Sequence, residues 1–132
     1  MSEFPEQFDI FYRKARSDLS LAMAGFGTHD RNIDQATLIF HLQQATEKSL
    51  KALLAFESVH FEKTHDIRIL IDLCKKGAVV LPDYVEKLKE LNPYAVLGRY
   101  DIIDSGEDCF EEYYPLVERL INEVESRLYG KR

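Results

Sequence analysis

Apolar residues recur at steps of three and four positions along most of this chain, which is the spacing that aligns side chains on one face of an α-helix. The predicted helices cover residues 6–24, about 33–58, 65–76, 82–92 and about 109–128. The run from Val79 to Leu81 resembles a strand, but it is too short to start a sheet before Pro82. The pattern therefore predicts an all-α fold, an up-and-down bundle of four to five antiparallel helices with short connections.

Glycine, proline and small polar residues mark the expected ends of these helices. Gly25 and Gly27 are expected to end the first helix, because glycine readily adopts the left-handed conformation of a helix C-terminus. Asp30 or Asn32 is expected to cap the second helix. The third helix is expected to begin after Thr64 as its N-cap and to end at Gly77. The fourth is expected to begin at Pro82 and to end at Asn92 and Pro93.

The second predicted helix carries two distinct stripes of side chains. Its apolar side is formed by Leu38, Leu42, Ala45, Ser49, Ala52, Leu53 and Phe56. A separate polar stripe along the same helix consists of His41, Gln44, Lys48 and Lys51. An imidazole, an amide and two ammonium groups would suit an anionic or polar ligand. The alternative is a solvated flank, in which the lysine side chains are hydrated or extend along apolar surface.

The composition is that of an ordinary soluble protein. The chain has 132 residues, 45% hydrophobic and 30% charged, so residues 1–132 are expected to form a single domain. The net charge of -6 argues against broad non-specific DNA binding, which requires a surplus of Lys and Arg. No apolar run is long enough to span a membrane, and residues 1–5 do not resemble a secretory signal. A cytoplasmic location is expected.

No cofactor and no metal site are predicted. Cys74 and Cys109 lack the spacing of a zinc site and are too few for a disulfide framework, so both are expected to be free thiols. The acidic segment 101–108 lacks the pattern of ligands that defines a calcium loop. Gly25 and Gly27 do not form a phosphate loop, because no strand precedes them and the lysine position is missing.

Three motifs, in order along the chain, resemble those of the HEPN family. Residues 41–54, His-Leu-Gln-Gln-Ala-Thr-Glu-Lys-Ser-Leu-Lys-Ala-Leu-Leu, resemble the signature helix of that family. Thr64-His65-Asp66 resembles its Thr-His-Asp helix start. Arg99-Tyr100-Asp101 resembles its Arg-Tyr-Pro segment, with aspartate where proline is common. Ser17-Asp18-Leu19 stands where the family often has an Asp-Leu pair, so the resemblance covers nearly the whole chain.

The resemblance implies a helical bundle that forms a two-fold homodimer. Many members of the family are encoded beside a minimal nucleotidyltransferase and pair with it as a toxin–antitoxin module. Active members are metal-independent ribonucleases, which use an arginine followed by a histidine after four to six intervening residues. In that chemistry the histidine moves a proton of the ribose 2′-hydroxyl, and the arginine stabilises the charged phosphorane.

The ribonuclease motif is absent from this chain. No arginine is followed by a histidine at the required spacing, and no histidine follows Arg99. We therefore assign no catalytic residue. The candidate ligand-binding residues are His41, Gln44, Glu47, Lys48, Lys51, Thr64, His65, Asp66, Arg99 and Tyr100.

Two of these candidates have a specific structural alternative. His65 either faces a ligand or helps to satisfy the free amide groups of a helix start. Arg99 either binds a phosphate or carboxylate group of a ligand, or it forms an ion pair with Glu47 or Asp101 inside the chain.

Three functions remain open on the sequence. The first is a non-catalytic subunit that binds a nucleotide, an RNA end or a partner protein, as a homodimer acting with a minimal nucleotidyltransferase. The second is a divergent ribonuclease in which His41, His65 and Arg99 converge. The third is a purely structural interaction module. A pocket shared by His41, Lys48, His65 and Arg99 would favour the first two, whereas separate internal ion pairs would favour the third.

Overall fold

The computed structural model describes residues 6–95 and 110–130 of the chain. The elements in chain order are α1 (Gln7–Thr28), α2 (Gln35–Phe56), α3 (Ile67–Lys76), a 3₁₀ segment (Asp83–Ala95) and α4 (Phe110–Tyr129). The prediction of an all-α fold is confirmed, because the described residues form helices and no strand. Arg99, Tyr100 and the acidic segment 101–108 lie outside the described residues.

Helix α2 forms the centre of the bundle. It packs against α1, α3, the 3₁₀ segment and α4. Leu42, Leu50 and Leu54 are fully buried. The polar residues Gln43 and Glu47 are also buried, with 0% and 2% of their surface exposed. A helix enclosed around most of its circumference has no broad solvated flank. The polar side chains of α2 must therefore find partners in the neighbouring elements.

Helix α1 extends further than the sequence predicts. It continues through Gly25 and Gly27 to Thr28, and His29 follows in the left-handed conformation with φ 57°. Gly25 lies where α1 approaches α2, since a Cβ atom at this position would be 2.7 Å from Cδ2 of Leu38. Glycine inside a helix costs only about 1 kcal/mol, so burial against α2 outweighs its preference for a helix end.

The N-cap of α2 is Asp34 rather than Asp30 or Asn32. The Asp34 side chain accepts a hydrogen bond from the backbone N–H of Thr37 at 2.8 Å. Asp30 acts within the connection instead, where its Oδ1 accepts from the N–H of Asn32 at 2.8 Å. All three residues are favourable N-cap types, so composition did not distinguish them.

The fourth predicted α-helix is a 3₁₀ segment that continues past Asn92 and contains Pro93. Its buried side chains are Val85, Leu88, Leu91 and Tyr94. They recur every three residues, which is the period at which side chains align along a 3₁₀ helix. Pro93 disfavours the α conformation at Asn92 and has no N–H to donate to an α-helix. The tighter segment therefore replaces the expected stop or kink.

Helix α3 ends in a Schellman motif. The N–H of Val79 donates to the carbonyl of Cys74 at 2.8 Å, and that of Ala78 to the carbonyl of Lys75 at 3.2 Å. The left-handed position, where glycine is preferred, is occupied by Ala78 with φ 61°. Gly77, the expected end of this helix, precedes that position with φ -90°.

Replacing Ala78 with glycine should raise the free energy of unfolding by about 0.5–1 kcal/mol, because glycine adopts this conformation without a steric penalty. Chemical denaturation would measure the change. The control is Ala24→Gly at an exposed position inside α1, which should lower stability by about 0.5–1 kcal/mol. A loss of stability in both variants would contradict the expected effect at Ala78.

Candidate functional site

One cluster of candidate residues lies between α1 and α2. Asp18 of α1 accepts hydrogen bonds from two residues of α2. Its Oδ1 lies 3.0 Å from Nδ1 of His41, and its Oδ2 lies 2.7 Å from Nζ of Lys48. His41 and Lys48 are two helical turns apart and so face the same direction. We call these three residues the Asp18 cluster, and their side chains remain 15–22% exposed.

A second cluster holds a buried carboxylate between α2 and the segment before α3. The Glu47 side chain is 3% exposed; its Oε2 accepts from Nζ of Lys51 at 2.8 Å and its Oε1 from Nδ1 of His65 at 3.0 Å. The ammonium group of Lys51 also lies 5.9 Å from the ring centroid of Phe11 in α1. A buried carboxylate needs such compensation. We call Glu47, Lys51 and His65 the Glu47 cluster.

Among the described residues, the His65 ring has one hydrogen-bond partner, which it contacts through Nδ1. The backbone carbonyl of His65 accepts from Nε2 of Gln43 at 3.1 Å, and Gln43 in turn accepts at Oε1 from Nε2 of Gln44 at 2.7 Å. These bonds position the segment, while Nδ1 of the ring bonds to Glu47 and the side chain remains 64% exposed. Nε2 is therefore the nitrogen that a ligand or a proton would reach.

The Thr-His-Asp motif begins α3, but its residues act differently from the prediction. Asp66, and not Thr64, is the N-cap, because its side chain accepts from the N–H of Arg68 at 2.9 Å. Thr64 supports this cap by accepting from the N–H of Asp66 at 3.1 Å. The ring of His65 bonds to Glu47 rather than to an amide of the helix start.

Asn92 of the 3₁₀ segment completes the start of α3. Its Oδ1 accepts from the N–H of Ile67 at 2.9 Å, and its Nδ2 donates to Oδ1 of Asp66 at 2.8 Å. Hydrogen bonds from Arg68 and then from Asn92 lower the pKa of Asp66 from 3.8 to about 2. These bonds tie α3 to the 3₁₀ segment and place a carboxylate at the positive end of the helix.

Five of the described candidates lie in the two clusters, whereas Gln44, Thr64 and Asp66 lie in neither. His41 and Lys48 belong to the Asp18 cluster, whereas Lys51 and His65 belong to the Glu47 cluster. His41, Lys48 and His65 therefore do not share one pocket, and each is paired inside the chain, which is the arrangement expected of a purely structural interaction module. Arg99 and Tyr100, the two other candidates, lie outside the described residues.

The sequence pattern does not reveal the partners that organise these residues. In the sequence alone, Asp18 is notable only as part of an Asp-Leu pair, and Asn92 only because it precedes a proline that is expected to end a helix. A signal for Asp18 exists, because the helical period places it beside the buried Ala15 and Ala22 on α1. A carboxylate at the edge of an apolar face needs a partner on the next element.

His41 and Lys48 of the Asp18 cluster carry nitrogen donors of a kind that can bind an anion. Two nitrogen donors from one helix meet a single carboxylate at a partly exposed edge, and charge-assisted hydrogen bonds of this kind also bind phosphate. The described part of the chain contains no group of three or more side chains suited to hold a metal ion. Within the same residues, no helix is both long and apolar enough to cross a membrane.

Comparison with known proteins supports the resemblance read from the motifs. The family model described as the HEPN domain matches residues 8–127 of the 132-residue chain. The matched region contains both clusters and the start of α3. The comparisons with curated proteins and with solved structures gave no match. The predicted family resemblance is confirmed.

Proposed function

Because the chain belongs to the HEPN family, we propose that it is a non-catalytic binding subunit of a toxin–antitoxin-like module. In this proposal it forms a two-fold homodimer and acts with a minimal nucleotidyltransferase. The polar edge of α2 binds the phosphate group of a nucleotide or of an RNA end. A cytoplasmic location belongs to the same proposal.

The observation that supports binding is the geometry of the Asp18 cluster. His41 and Lys48 direct nitrogen donors to one acceptor, at 3.0 and 2.7 Å, where the side chains are still partly exposed. A phosphate group offers oxygen acceptors of the same kind, and lysine is a common phosphate ligand in proteins. An internal ion pair alone would also suit a purely structural module, and the partial exposure of these side chains is what favours binding over that alternative.

Two observations favour binding over catalysis. The Arg-to-His spacing of active HEPN ribonucleases is missing from the sequence. Arg68, which follows His65 closely along the chain, donates to the carboxylate of Asp66 at 3.1 Å. Arg68 comes after the histidine rather than before it, so the two residues do not form the ribonuclease motif.

One observation favours a divergent ribonuclease as the second candidate. A carboxylate bonded to Nδ1 of a histidine orients the ring and supports proton transfer at Nε2. Glu47 and His65 form such a pair, and the histidine side chain is 64% exposed. Cleavage of RNA by the wild-type protein that disappears in His65→Ala, without loss of folded structure, would favour this candidate over the first.

Lys48→Met should weaken the binding of adenosine monophosphate and of 5′-phosphorylated RNA by roughly tenfold, because it removes one charge-assisted hydrogen bond to phosphate. Isothermal titration calorimetry would measure both affinities. The matched control is Lys75→Met, which removes a lysine paired with Glu86 at 3.1 Å elsewhere on the surface. Equal affinities in Lys48→Met and the wild type would count against binding at this edge.

The assembly is tested separately from the ligand. Sedimentation in solution should give a dimer, and a strictly monomeric species would remove the proposed two-fold assembly. A short nucleotidyltransferase gene is expected beside the gene for this chain. Its absence would remove the proposed protein partner and leave ligand binding as a separate question.

A further inference from the structure

Asp18 holds the two donors of the proposed phosphate site in the way that a ligand would. Each of its carboxylate oxygens accepts from a different residue of α2, Oδ1 from His41 and Oδ2 from Lys48. A phosphate monoester would bind the same two donors through two of its own oxygens. The carboxylate and a phosphate group cannot occupy this position together, since both carry negative charge and need the same donors.

The contact of Asp18 with His41 and Lys48 also lies where a ligand could reach it. The Asp18 side chain is 15% exposed and those of His41 and Lys48 are each 22% exposed, so the cluster lies at an edge that solvent reaches. Lys14 precedes Asp18 by one helical turn on α1 and is exposed. A rotation of the Asp18 side chain away from α2 would bring the carboxylate towards this ammonium group.

The Glu47 cluster shows what a permanent internal pair looks like in the same helix. There the carboxylate is 3% exposed and Lys51 is 9% exposed, so displacement by a ligand would require the bundle to open. The Asp18 cluster has the same types of group but lies at the edge of the bundle. This difference in burial separates a structural ion pair from one that a ligand can displace.

We infer that Asp18 is an internal competitor that occupies the phosphate site formed by His41 and Lys48 until a phosphate monoester displaces it. This inference rests on the proposed binding function and adds its regulation. The affinity of the wild-type protein for phosphate monoesters is then set partly by the free energy of releasing Asp18. Any change that moves α1 away from this edge of α2 would raise that affinity.

Asp18→Asn should bind inorganic phosphate, adenosine monophosphate and a short 5′-phosphorylated RNA about tenfold more tightly than the wild type. The amide is nearly isosteric but carries no charge to compete with phosphate. The same RNA with a 5′-hydroxyl should show no gain, which distinguishes a terminal phosphate from the RNA backbone. The gain should disappear in Asp18→Asn combined with Lys48→Met.

The matched control is Glu125→Gln, which removes one negative charge from another interhelical pair, Arg16 with Glu125 at 2.8 Å. No gain in phosphate affinity is expected in this control. An equal gain in both variants would show a general charge effect and overturn the inference. An unchanged affinity in a folded Asp18→Asn protein would overturn it as well.

A measurement on the wild type keeps the inference testable if Asp18→Asn does not fold. Phosphate should shift the NMR signals of the His41 ring and the Lys48 side chain in a saturable way, and unshifted signals would overturn the inference. Failure of the proposed function is recognised differently. If the wild type binds inorganic phosphate at His41 and Lys48 and Asp18→Asn binds it more tightly, while neither protein binds a nucleotide or RNA, Asp18 competes for the site and the proposed ligand of the native protein is wrong.

Discussion

Replacing Glu47 with alanine should lower the free energy of unfolding by about 3–5 kcal/mol, because it leaves the charge of Lys51 buried without a partner. The Lys51 side chain is 9% exposed, and the Glu47 carboxylate 2.8 Å away is its ion-pair partner. The same substitution releases His65, which holds the segment before α3 against α2. Urea denaturation followed by circular dichroism would measure the loss.

Two further variants separate the buried charge from the loss of packing. Replacing the pair together, Glu47→Leu with Lys51→Met, should recover most of the stability, since apolar side chains of similar volume often replace a buried pair without loss. Glu125→Ala breaks an ion pair whose side chains are 34% and 40% exposed, and it should cost under about 1 kcal/mol. Similar losses in Glu47→Ala and Glu125→Ala would contradict the expected effect of burial.

Replacing Asn92 with alanine should lower the free energy of unfolding by about 2–3 kcal/mol, because a buried N–H loses its acceptor. Ile67 is fully buried at the first turn of α3, and its N–H donates to Oδ1 of Asn92 at 2.9 Å. The first amides of a helix have no acceptor within the helix itself. The bond from Asn92 to Asp66 at 2.8 Å is lost as well. Thermal and urea denaturation would both measure the change.

The control for this variant is Asn122→Ala on α4. The hydrogen bond that Oδ1 of Asn122 accepts from Arg16, at 3.2 Å, is exposed to solvent. Its loss should therefore change stability by no more than about 0.5 kcal/mol. Equal effects at Asn92 and Asn122 would show that the cap of α3 contributes little.

Acid unfolding gives an independent check on the Asn92 contact. The pKa of Asp66 is lowered from 3.8 to about 2, first by the hydrogen bond from Arg68 and also by that from Asn92. A lowered pKa means that Asp66 stabilises the fold above about pH 4, and that this contribution is lost as the pH falls towards 2. Asn92→Ala should raise this pKa, so the variant should lose less stability than the wild type over the same interval.

The residues that mark the family also hold the bundle together. Glu47 belongs to the signature helix, but its carboxylate is bonded to Lys51 and His65 inside the fold. If a variant of Glu47 loses function, the loss could therefore result from unfolding as well as from a lost ligand contact. The Asp18 cluster is a better place to test ligand binding, because its side chains are partly exposed.

The sequence determined the class of fold and the family of this protein. Helical periodicity depends on local geometry, so helices can be recognised in the sequence without knowledge of tertiary contacts. The sequence also carries a signal for the 3₁₀ segment. Its buried residues, at 85, 88, 91 and 94, recur every three positions. That period favours a 3₁₀ helix over an α-helix.

Only the tertiary structure decided what the polar residues of α2 do. A single helix presents His41, Lys48 and Lys51 as one stripe, and nothing local assigns each to a partner. Packing α2 against four elements buries Lys51 and leaves His41 and Lys48 partly exposed. Burial then requires a specific acceptor for each charge, because an unpaired buried charge is too costly. Asp18 and Glu47 supply those acceptors, so the residues of one stripe divide between a partly exposed cluster at the edge of the bundle and a buried ion pair inside it.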